Sequence, residues 1–432
     1  MHLILPEARR TEPFLLAAKA AVGACVHCGF CNATCPTYTL LGDERDGPRG
    51  RIYAIKEMLE SAAEPAPDLV PHLDRCLSCL SCRTTCPSGV DYARLIDVAR
   101  TEVAARRRWT RAGLLRRFLA ALMTRPHLLR LAVIGGRLAG QFRLPLPRVL
   151  LAARNVARHA NPARGATDGQ LVLAPEGVRR ARVALLLGCV QRAVAPEING
   201  ATVSLLRRLG CEVVVMGRAT CCGSLDHHLG HEERARRLAA QLVETLRKAQ
   251  QVAPFDHIVS NLSGCGAHLK DLAFQLQGID ATNNVGAIVS RIRDVTEVVD
   301  ALGFAPTGPR GVRVAYHAAC SLQHGQRVRE TPERVLAAAG YEVMKPKEEH
   351  LCCGSAGTYN ILQSDLGERL GARKADNLRR TGAEIVATGN IGCILQLRTQ
   401  LDLPVVHTVE LLDWASGGAR PLALGSRHMG DA

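Results

Sequence analysis

Residues 25–36 read Cys-Val-His-Cys-Gly-Phe-Cys-Asn-Ala-Thr-Cys-Pro, and residues 76–87 read Cys-Leu-Ser-Cys-Leu-Ser-Cys-Arg-Thr-Thr-Cys-Pro. Both segments have the pattern C-x2-C-x2-C-x3-C-P. A tight loop with three closely spaced cysteines can hold three corners of an iron-sulfur cube, and the last cysteine of the other segment fills the fourth corner. The pattern therefore predicts two [4Fe-4S] clusters and an electron-transfer role. We assign Cys25, Cys28, Cys31 and Cys86 to cluster 1, and Cys76, Cys79, Cys82 and Cys35 to cluster 2.

Zinc and disulfides explain these cysteines less well. A tetrahedral zinc site needs four ligands, usually as two pairs, which leaves the third close cysteine and the trailing Cys-Pro without a purpose. A disulfide framework is typical of small secreted proteins, whereas this chain has 432 residues and opens with no recognisable signal peptide. We expect a cytoplasmic protein in a reducing compartment.

The formal net charge of +15 raises the question of an acidic partner. Nucleic acid is disfavoured, because aromatic residues make up only 3% of the chain and no RNA- or DNA-reading motif is present. The sequence has no uninterrupted apolar run of 18 or more residues, which is the length that a membrane-spanning helix needs. Contact with a membrane would therefore be peripheral, at its inner face, or through a partner.

Basic residues concentrate after the second cysteine segment, where they interleave with leucines. Leu114, Leu115, Leu119 and Leu122 have spacings that share one helix face, with Trp109 near the start. The pattern predicts a basic amphipathic helix pair. It fits a surface that docks on anionic lipid or a partner subunit, and equally a helical linker packed on its own protein. The arginines are Arg106, Arg107, Arg108, Arg111, Arg116, Arg117, Arg125 and Arg130.

The remaining cysteines form a repeat. The first set is Cys189, Cys221, Cys222 and Cys265, and the second is Cys320, Cys352, Cys353 and Cys393. The first three members of the second set follow their counterparts by 131 residues and the last by 128. Each central pair continues as Cys-Cys-Gly. Cys211 stands outside the scheme, in an apolar run where we expect a core residue.

The repeat extends to the predicted secondary structure. Each unit has an apolar run before its first cysteine, a helix, a second run before Cys-Cys-Gly, another helix, and a third run before its last cysteine. The predicted runs are 183–187, 212–216 and 257–261 in the first unit, and 312–316, 342–344 and 384–388 in the second. The predicted helices are 201–209 and 231–248, and 331–339 and 365–380. Alternation of this kind predicts parallel sheets with helices on both faces.

The loops after parallel strands gather at one sheet edge, so we expect the four cysteines of each unit to converge there. Metal or cluster binding, a catalytic dithiol, and buried thiols lining a docking groove are all open interpretations. Nearby histidines could be ligands, proton carriers or plain surface residues, and we assign a ligand role to none of them. They are His227, His228, His268, His317 and His324.

No dinucleotide-binding or Walker A fingerprint is found, so a flavin or nucleotide cofactor is not expected on this chain. Iron-sulfur clusters alone pass single electrons and do not oxidise an alcohol or acid. A flavoprotein partner is therefore implied.

In its sequence motifs the chain resembles the iron-sulfur subunits of bacterial glycolate oxidase, from about residue 20 to 415. The resemblance rests on CVHCGFCNATCPTY at 25–38, LLGDERDGPRGRIY at 40–53, TTCPSGV at 84–90 and HLCCGSAGTY at 350–359. Shorter matches are GCVQ at 188–191, APEIN at 195–199 and SGCG at 263–266. Leu262 and Asn390 depart from the heterodisulfide reductases, which have cysteine there, and Ala318-Ala319-Cys320 replaces a frequent Cys-Pro-Cys.

The resemblance implies an oxidoreductase complex whose FAD-containing subunits oxidise glycolate, and D-lactate as well, while this chain relays electrons toward a membrane acceptor such as quinone. It also carries the cluster-ligand roles over to the eight cysteines of clusters 1 and 2. The Cys-Cys-Gly module would form a docking or exit platform. The alternatives are a heterodisulfide-reductase-like catalyst around Cys221, Cys222, Cys352 and Cys353, another 2-hydroxy-acid or glycerol-3-phosphate dehydrogenase subunit, or a membrane scaffold.

The predicted fold class is mixed α+β and α/β. A helical ferredoxin-like two-cluster domain (1–105) precedes a basic amphipathic helical linker (106–178). Two α/β Cys-Cys-Gly domains follow, called unit 1 (179–300) and unit 2 (301–420), and then a C-terminal tail (421–432).

Overall fold

The computed structural model describes residues 1–61, 67–139, 147–163, 165, 169–217, 219, 221–279, 285–303 and 305–425. Parts of the predicted linker (140–146, 164 and 166–168) and of the predicted tail (426–432) lie outside these residues.

The N-terminal region is helical, as predicted. Proline in the first turn of α1, α2 and α4 suits a helix start, because the amide it lacks has no partner there. Helices α1, α3 and α6 pack together around buried apolar residues such as Leu15, Ile55 and Leu95. The helices are α1 (Pro13–Ala24), α2 (Pro36–Leu41), α3 (Pro48–Ser61), α4 (Val70–Asp74), α5 (Ser81–Thr85) and α6 (Tyr92–Arg106), with 3-10 turns at Glu7–Arg9, Phe30–Asn32 and Glu44–Asp46.

The basic segment forms α7 (Arg111–Met123), α8 (Pro126–Ala139) and α9 (Arg148–Arg158). Leu119 is buried and Leu115 and Leu122 are half-buried, but Leu114 is 47% exposed. Leu114 therefore lies at the edge of the buried face of α7, beside exposed Phe118. Among the described residues no single helix is long and apolar enough to cross a membrane, although α7 and α8 together pass by length and composition while bent by 105°.

Unit 1 is built on a five-stranded sheet in the order β1-β3-β2-β4-β5. All pairings are parallel except that of β1 with β3, which adds an edge strand that the sequence reasoning missed. The strands are β1 (Gln170–Leu173), β2 (Ala181–Leu186), β3 (Cys211–Met216), β4 (His257–Ser260) and β5 (Ile292–Asp294). The helices are α10 (Gln191–Val194), α11 (Glu197–Arg208), α12 (Ser224–His228), α13 (Glu232–Val252), α14 (Ser263–Lys270), α15 (Leu272–Gln275), α16 (Val285–Val289) and α17 (Val295–Leu302).

Unit 2 repeats this plan with a parallel four-stranded sheet in the order β7-β6-β8-β9. Its strands are β6 (Arg313–Tyr316), β7 (Glu342–Met344), β8 (Ile385–Thr388) and β9 (Val405–His407). Its helices are α18 (Thr331–Ala338), α19 (Tyr359–Leu362), α20 (Ser364–Arg379), α21 (Ile391–Arg398) and α22 (Thr408–Ala415), with a π-helical turn at Ser321–Gln326 and a 3-10 turn at Leu422–Leu424. The predicted mixed fold class, with its two repeated α/β units, is confirmed.

The two units share one core. Helix α11 of unit 1 packs on α22 of unit 2, and α18 of unit 2 packs on α17 of unit 1. Apolar residues from both sheets, including Val183, Val213, Val314 and Val386, belong to the same buried cluster. Cys211 is fully buried among them, as a core residue. The reciprocal packing fixes the cysteine-bearing edges of the two sheets beside each other.

Candidate metal centres

Four thiols from three segments line the first pocket of the helical region. Cys25 lies at the C-terminal end of α1, Cys28 and Cys31 follow in the loop, and Cys86 lies at the end of α5. Gly29 turns the loop with φ +85°, which only glycine adopts without strain. Cys82 borders the same pocket. Cys28 is exposed, and its neighbours Val26 and Phe30 are 69% and 64% exposed, so this site opens onto the surface.

The second pocket is lined by Cys35, Cys76, Cys79 and Cys82, the four cysteines that the sequence assigns to cluster 2. All four are buried. Cys35 precedes Pro36 at the start of α2, and its Sγ lies 3.3 Å from Thr37 Oγ1. The Tyr92 hydroxyl donates to Cys76 Sγ at 3.7 Å. Thiolates are the ligands of [4Fe-4S] clusters, so the donor set of each pocket fits one.

A buried cation stands beside the second pocket. Arg51 is 1% exposed, donates to the His72 carbonyl oxygen at 2.7 Å, lies 4.0 Å from Cys35 Sγ and forms an ion pair with Asp46 at 3.4 Å. Burial raises the pKa of Cys76, but the positive charges of Arg51 and Arg100 outweigh it and leave the pKa below its usual value. Positive charge and sulfur hydrogen bonds stabilise the electron-rich state of an iron-sulfur site.

In unit 1 the four Cys-Cys-Gly cysteines converge after β2, β3 and β4. Cys189 Sγ lies 3.7 Å from Cys221 Sγ, and the Cys222 thiol hydrogen bonds with those of Cys221 and Cys265. Gly223, with φ +88°, turns the backbone so that its amide donates to Cys221 Sγ at 3.5 Å. Hydrogen bonds from Cys189 and Cys222 hold the pKa of Cys221 well below its usual value.

The four cysteines of unit 2 form the equivalent set. Cys320 Sγ lies 3.9 Å from Cys352 Sγ, and Cys353 Sγ lies 3.2 Å from Cys393 Sγ. Cys352, Cys353 and Cys393 are buried, whereas Cys189, Cys221 and Cys265 of unit 1 are only half-buried. The structure therefore brings together each group of four cysteines that the repeat indicated.

Both sets face one cavity of about 670 Å³. Its walls also include the cluster 2 loop at Cys76, Leu77 and Ser78, and apolar side chains from α7, α8 and α9 such as Leu122 and Val133. The cavity thus connects the second ferredoxin-type pocket, both Cys-Cys-Gly sets and the basic helices.

The cluster 2 loop touches unit 2 directly. Cys79 packs in one buried cluster with Cys352 and Tyr359, against which Cys320 also packs. Thr84 Oγ1 hydrogen bonds with His324 Nδ1 at 2.7 Å. This contact was not foreseen, because the residues are 240 positions apart and carry no shared motif.

Unit 1 instead meets α6 through charged groups. Arg94 forms a bidentate ion pair with Asp271 at 2.5 and 2.7 Å. His227 lies between Asp97, 3.1 Å from Nε2, and Glu232, 2.9 Å from Nδ1. Burial lowers the pKa of His227, but the two carboxylates outweigh it and raise the pKa to about 10.

The other histidines have different surroundings. His228 faces the cavity, and His268 is buried against the His227 ring. His317 is 1% exposed and lies with Cys353 and Cys393. The plain surface interpretation was therefore wrong for the buried histidines His227, His268, His317 and His324. A signal for His317 existed, since it interrupts an apolar run three residues before Cys320.

The two departures from the heterodisulfide reductase pattern have structural roles. Asn390 accepts from the Gly392 amide at 2.8 Å, capping α21, and donates to Ser263 Oγ of unit 1 at 2.8 Å. Leu262 packs closely on Gly188: a Cβ added to Gly188 would lie 2.6 Å from the methyl groups of Leu262. Asn390 thus joins the two units, Leu262 packs against the backbone inside unit 1, and neither side chain supplies a thiol.

Matches to known protein families follow the same division of the chain. Residues 21–90 match the family model described as a 4Fe-4S dicluster domain, and residues 183–270 and 314–398 both match the cysteine-rich domain. The glycolate oxidase iron-sulfur subunit of Escherichia coli K12 is 36% identical over 424 residues, covering 96% of this chain and 99% of that protein. The probable glycolate oxidase iron-sulfur subunit of Bacillus subtilis 168 is 29% identical and covers 91% and 94%. Lactate utilization protein A of Oceanobacillus iheyensis is 26% identical over 246 residues, which cover 54% of this chain and 96% of that protein.

Proposed function

The chain belongs to the family of glycolate oxidase iron-sulfur subunits, and from that premise we propose that it relays electrons from an FAD-containing partner to a membrane acceptor such as quinone. The complex is an oxidoreductase, and this chain is its iron-sulfur component. We propose that the substrate is bound by the partner. We also propose the division of the chain into domains at residues 105, 178, 300 and 420, with the end of the linker adding the edge strand β1 to the sheet of unit 1.

The ligand assignment follows the two pockets. Cys25, Cys28, Cys31 and Cys86 would hold cluster 1, and Cys35, Cys76, Cys79 and Cys82 would hold cluster 2. When bound, [4Fe-4S] clusters supply single-electron transfer. The observation that carries the proposal is the order of the sites: one donor set opens onto the surface, and the next is buried beside the shared cavity.

The exposed site suits electron entry. Val26 and Phe30 present apolar side chains next to exposed Cys28, and apolar side chains of this kind are typical of the centre of a protein–protein interface. The flavoprotein partner would dock here. The buried site suits onward transfer, because Arg51 and the Tyr92 hydroxyl stabilise added negative charge on its sulfur ligands.

The basic helices suit a membrane surface. Phe118 and Leu131 are 62% and 66% exposed on helices rich in arginine, an arrangement typical of helices that lie in the lipid headgroup region. Residues along the same two helices, including Phe118 at the cavity mouth, line the cavity that reaches Cys76. A lipid-soluble quinone would thus approach cluster 2 through an apolar route, and the protein would bind peripherally at the inner face of the inner membrane.

Lactate is proposed as a second substrate of the complex. The name of the lactate utilization relative supports it, although that similarity covers 54% of this chain. The choice between glycolate and D-lactate would then depend on the flavoprotein.

The principal test is anaerobic purification of the chain with its co-purifying partners, followed by iron and sulfide analysis and EPR. We expect about eight irons per chain from two cubanes, reduced by glycolate only when a flavoprotein is present. Glycolate oxidation by the isolated chain would contradict the relay. Intact glycolate-to-quinone activity after loss of either cubane would favour a scaffold role.

Membrane docking is tested separately by flotation with vesicles of phosphatidylcholine alone or with phosphatidylglycerol. Replacing Phe118 and Leu131 by aspartate should reduce flotation with the anionic vesicles. The control Val252→Asp, at an 88% exposed position at the end of α13, should not. Equal flotation of all three proteins would contradict the proposed surface.

A heterodisulfide-reductase-like activity is the second candidate, because Cys352 and Cys353 open with the other thiols onto the cavity. Disulfide reduction that disappears in Cys353→Ser while both cubane EPR signals persist would establish it.

A further inference from the structure

His317 is a buried polar residue of unit 2. It follows β6, is 1% exposed, and both ring nitrogens lack a hydrogen-bond partner among the described residues. A buried polar group left in this state costs about 1–3 kcal/mol, and most such groups in folded proteins are satisfied. The position therefore calls for a ligand on the imidazole.

The groups around it are thiols. One ring nitrogen of His317, Cys353 Sγ and Cys393 Sγ all lie within 4.8 Å of one another. The two sulfurs are 3.2 Å apart. The thiol of the neighbouring residue Cys352 hydrogen bonds with that of Cys353. An imidazole and three thiols are a donor set that binds a single metal ion.

The spacing fits a mononuclear site. With metal–sulfur bonds of about 2.3 Å and metal–nitrogen bonds of about 2.0 Å, tetrahedral ligand atoms lie about 3.5–3.8 Å apart. In a cubane each thiolate binds a different iron, so the sulfurs must spread around the corners of a larger body. The close grouping of His317, Cys353 and Cys393 therefore favours one ion, and Cys352, which adjoins Cys353 outside that group, would complete the set by turning toward it.

The repeat provides an independent comparison. In the register that relates Cys189 to Cys320, Leu186 occupies the position of His317. In the helix after each Cys-Cys-Gly turn, Gly354 meets Gly367 as Gly223 meets Ala235, and in that register Leu242 occupies the position of Lys374. Lys374 is a fully buried lysine whose charge acts on Cys353, Cys352 and Cys393. A divalent ion with three thiolates and one imidazole carries one negative charge, which an ammonium group balances. Unit 2 has both the extra ligand and the balancing cation, whereas unit 1 has an apolar residue at each position.

We propose that unit 2 binds one divalent cation of the zinc class through His317, Cys353 and Cys393, with Cys352 as the fourth ligand. Zinc suits this set because it takes tetrahedral mixed nitrogen and sulfur ligands. A closed four-ligand site of this kind is structural, and it would fix the Cys-Cys-Gly loop beside Cys79.

The test uses the full chain purified with its partners, and its first readout is zinc and iron content. We expect about one zinc per chain in addition to the cubane iron, and X-ray absorption at the zinc edge with one nitrogen and three sulfur neighbours. Absence of zinc, or additional iron bound by unit 2 in its place, would overturn the assignment.

Variants separate ligation from packing. His317→Leu, which introduces the residue of unit 1, should lower zinc affinity at least ~10–100-fold, since that much is lost even when only an outer-shell partner is removed. His317→Cys should retain zinc because it restores a donor, and His324→Leu is the control at a buried histidine outside the set. Cobalt substitution gives a second readout, in which the cobalt–thiolate bands should be absent from His317→Leu and present in His317→Cys. Full zinc occupancy in His317→Leu would overturn the proposal, and cubane EPR reports that each variant is folded.

Discussion

In unit 1 the strand before the first cysteine ends at Leu186, whereas the equivalent position in unit 2 is His317. The two units share the Cys-Cys-Gly turn and the order of four parallel strands, β3-β2-β4-β5 and β7-β6-β8-β9, yet their surroundings differ. Unit 2 packs its thiols against Cys79 of the cluster 2 site, while unit 1 meets α6 through His227, Asp97 and the Arg94–Asp271 pair. A repeated backbone can therefore hold two sites with different chemistry.

The largest expected effect comes from breaking the two thiol sets in parallel. Cys353→Ser should lower acceptor-linked glycolate turnover by ~10–100-fold, because it disrupts the set that supports the cluster 2 loop. Cys222→Ser, the matched variant in unit 1, should cost less than about tenfold on the same scale. The measurement is steady-state turnover with a quinone analogue, normalised to dye reduction at the flavoprotein. Equal losses would show that the units act alike.

The sequence predicted the parts of this comparison that depend on short patterns. The cysteine spacing located the eight ferredoxin-type and the eight Cys-Cys-Gly cysteines, and the apolar runs located the three strands that precede the latter in each unit. Parallel topology then explains why residues as distant as Cys189 and Cys265 meet. These features are local or follow from one rule of sheet geometry.

What the sequence did not indicate depends on packing between units. The contact of Cys79 with Cys352 and the burial of His317 arise only when three regions assemble around the cavity. Strands β5 and β9 were also missed, since each has only three residues and follows the cysteine-bearing part of its unit. A lone histidine in an apolar run has too many ordinary explanations to be read as a ligand without its neighbours.

The second prediction concerns the backbone that the units share. Gly223 and Gly354 have φ +88° and +84°, and a Cβ at either would lie 2.5 Å from the carbonyl oxygen of Ala235 or Gly367. Replacing either by alanine should destabilise the protein by about 3 kcal/mol, from the left-handed conformation and the steric overlap together.

Thermal unfolding of the cluster-loaded chain measures this effect. Gly200→Ala is the control, because a Cβ there meets no atom within 4 Å and alanine favours helix α11. Similar losses at both Cys-Cys-Gly turns would show that the turn is structurally equivalent. A loss at only one would mean that the repeat is not equivalent even in its backbone.

The third prediction concerns the charged contact of unit 1. His227→Gln should lower stability by about 2 kcal/mol near pH 6, because Asp97 and Glu232 lose a buried cationic partner. The pKa of His227 is raised to about 10, so its contribution is fully present below the unfolded value of about 6.5 and is lost as pH rises through 10.

The stability difference between wild type and His227→Gln should therefore shrink between pH 7 and 10. It is measured by denaturant unfolding at several pH values, with His127→Gln, at an exposed position of α8, as the control. A difference that stays constant over this range would contradict a protonated His227.

The smallest effect is expected at the neutral contact of unit 2. Thr84 Oγ1 and His324 Nδ1 form one hydrogen bond at 2.7 Å, and burial lowers the pKa of His324 to about 4, so the ring is uncharged at neutral pH. Thr84→Val keeps the shape of the side chain and removes this bond together with the one that the hydroxyl donates to the Ser81 carbonyl oxygen at 3.1 Å, which should cost about 1 kcal/mol. Because no charge is involved, the loss should be the same at pH 6 and pH 9 and insensitive to salt, in contrast to His227→Gln. A pH-dependent loss would mean that His324 is protonated and that unit 2, like unit 1, meets the two-cluster region through charge.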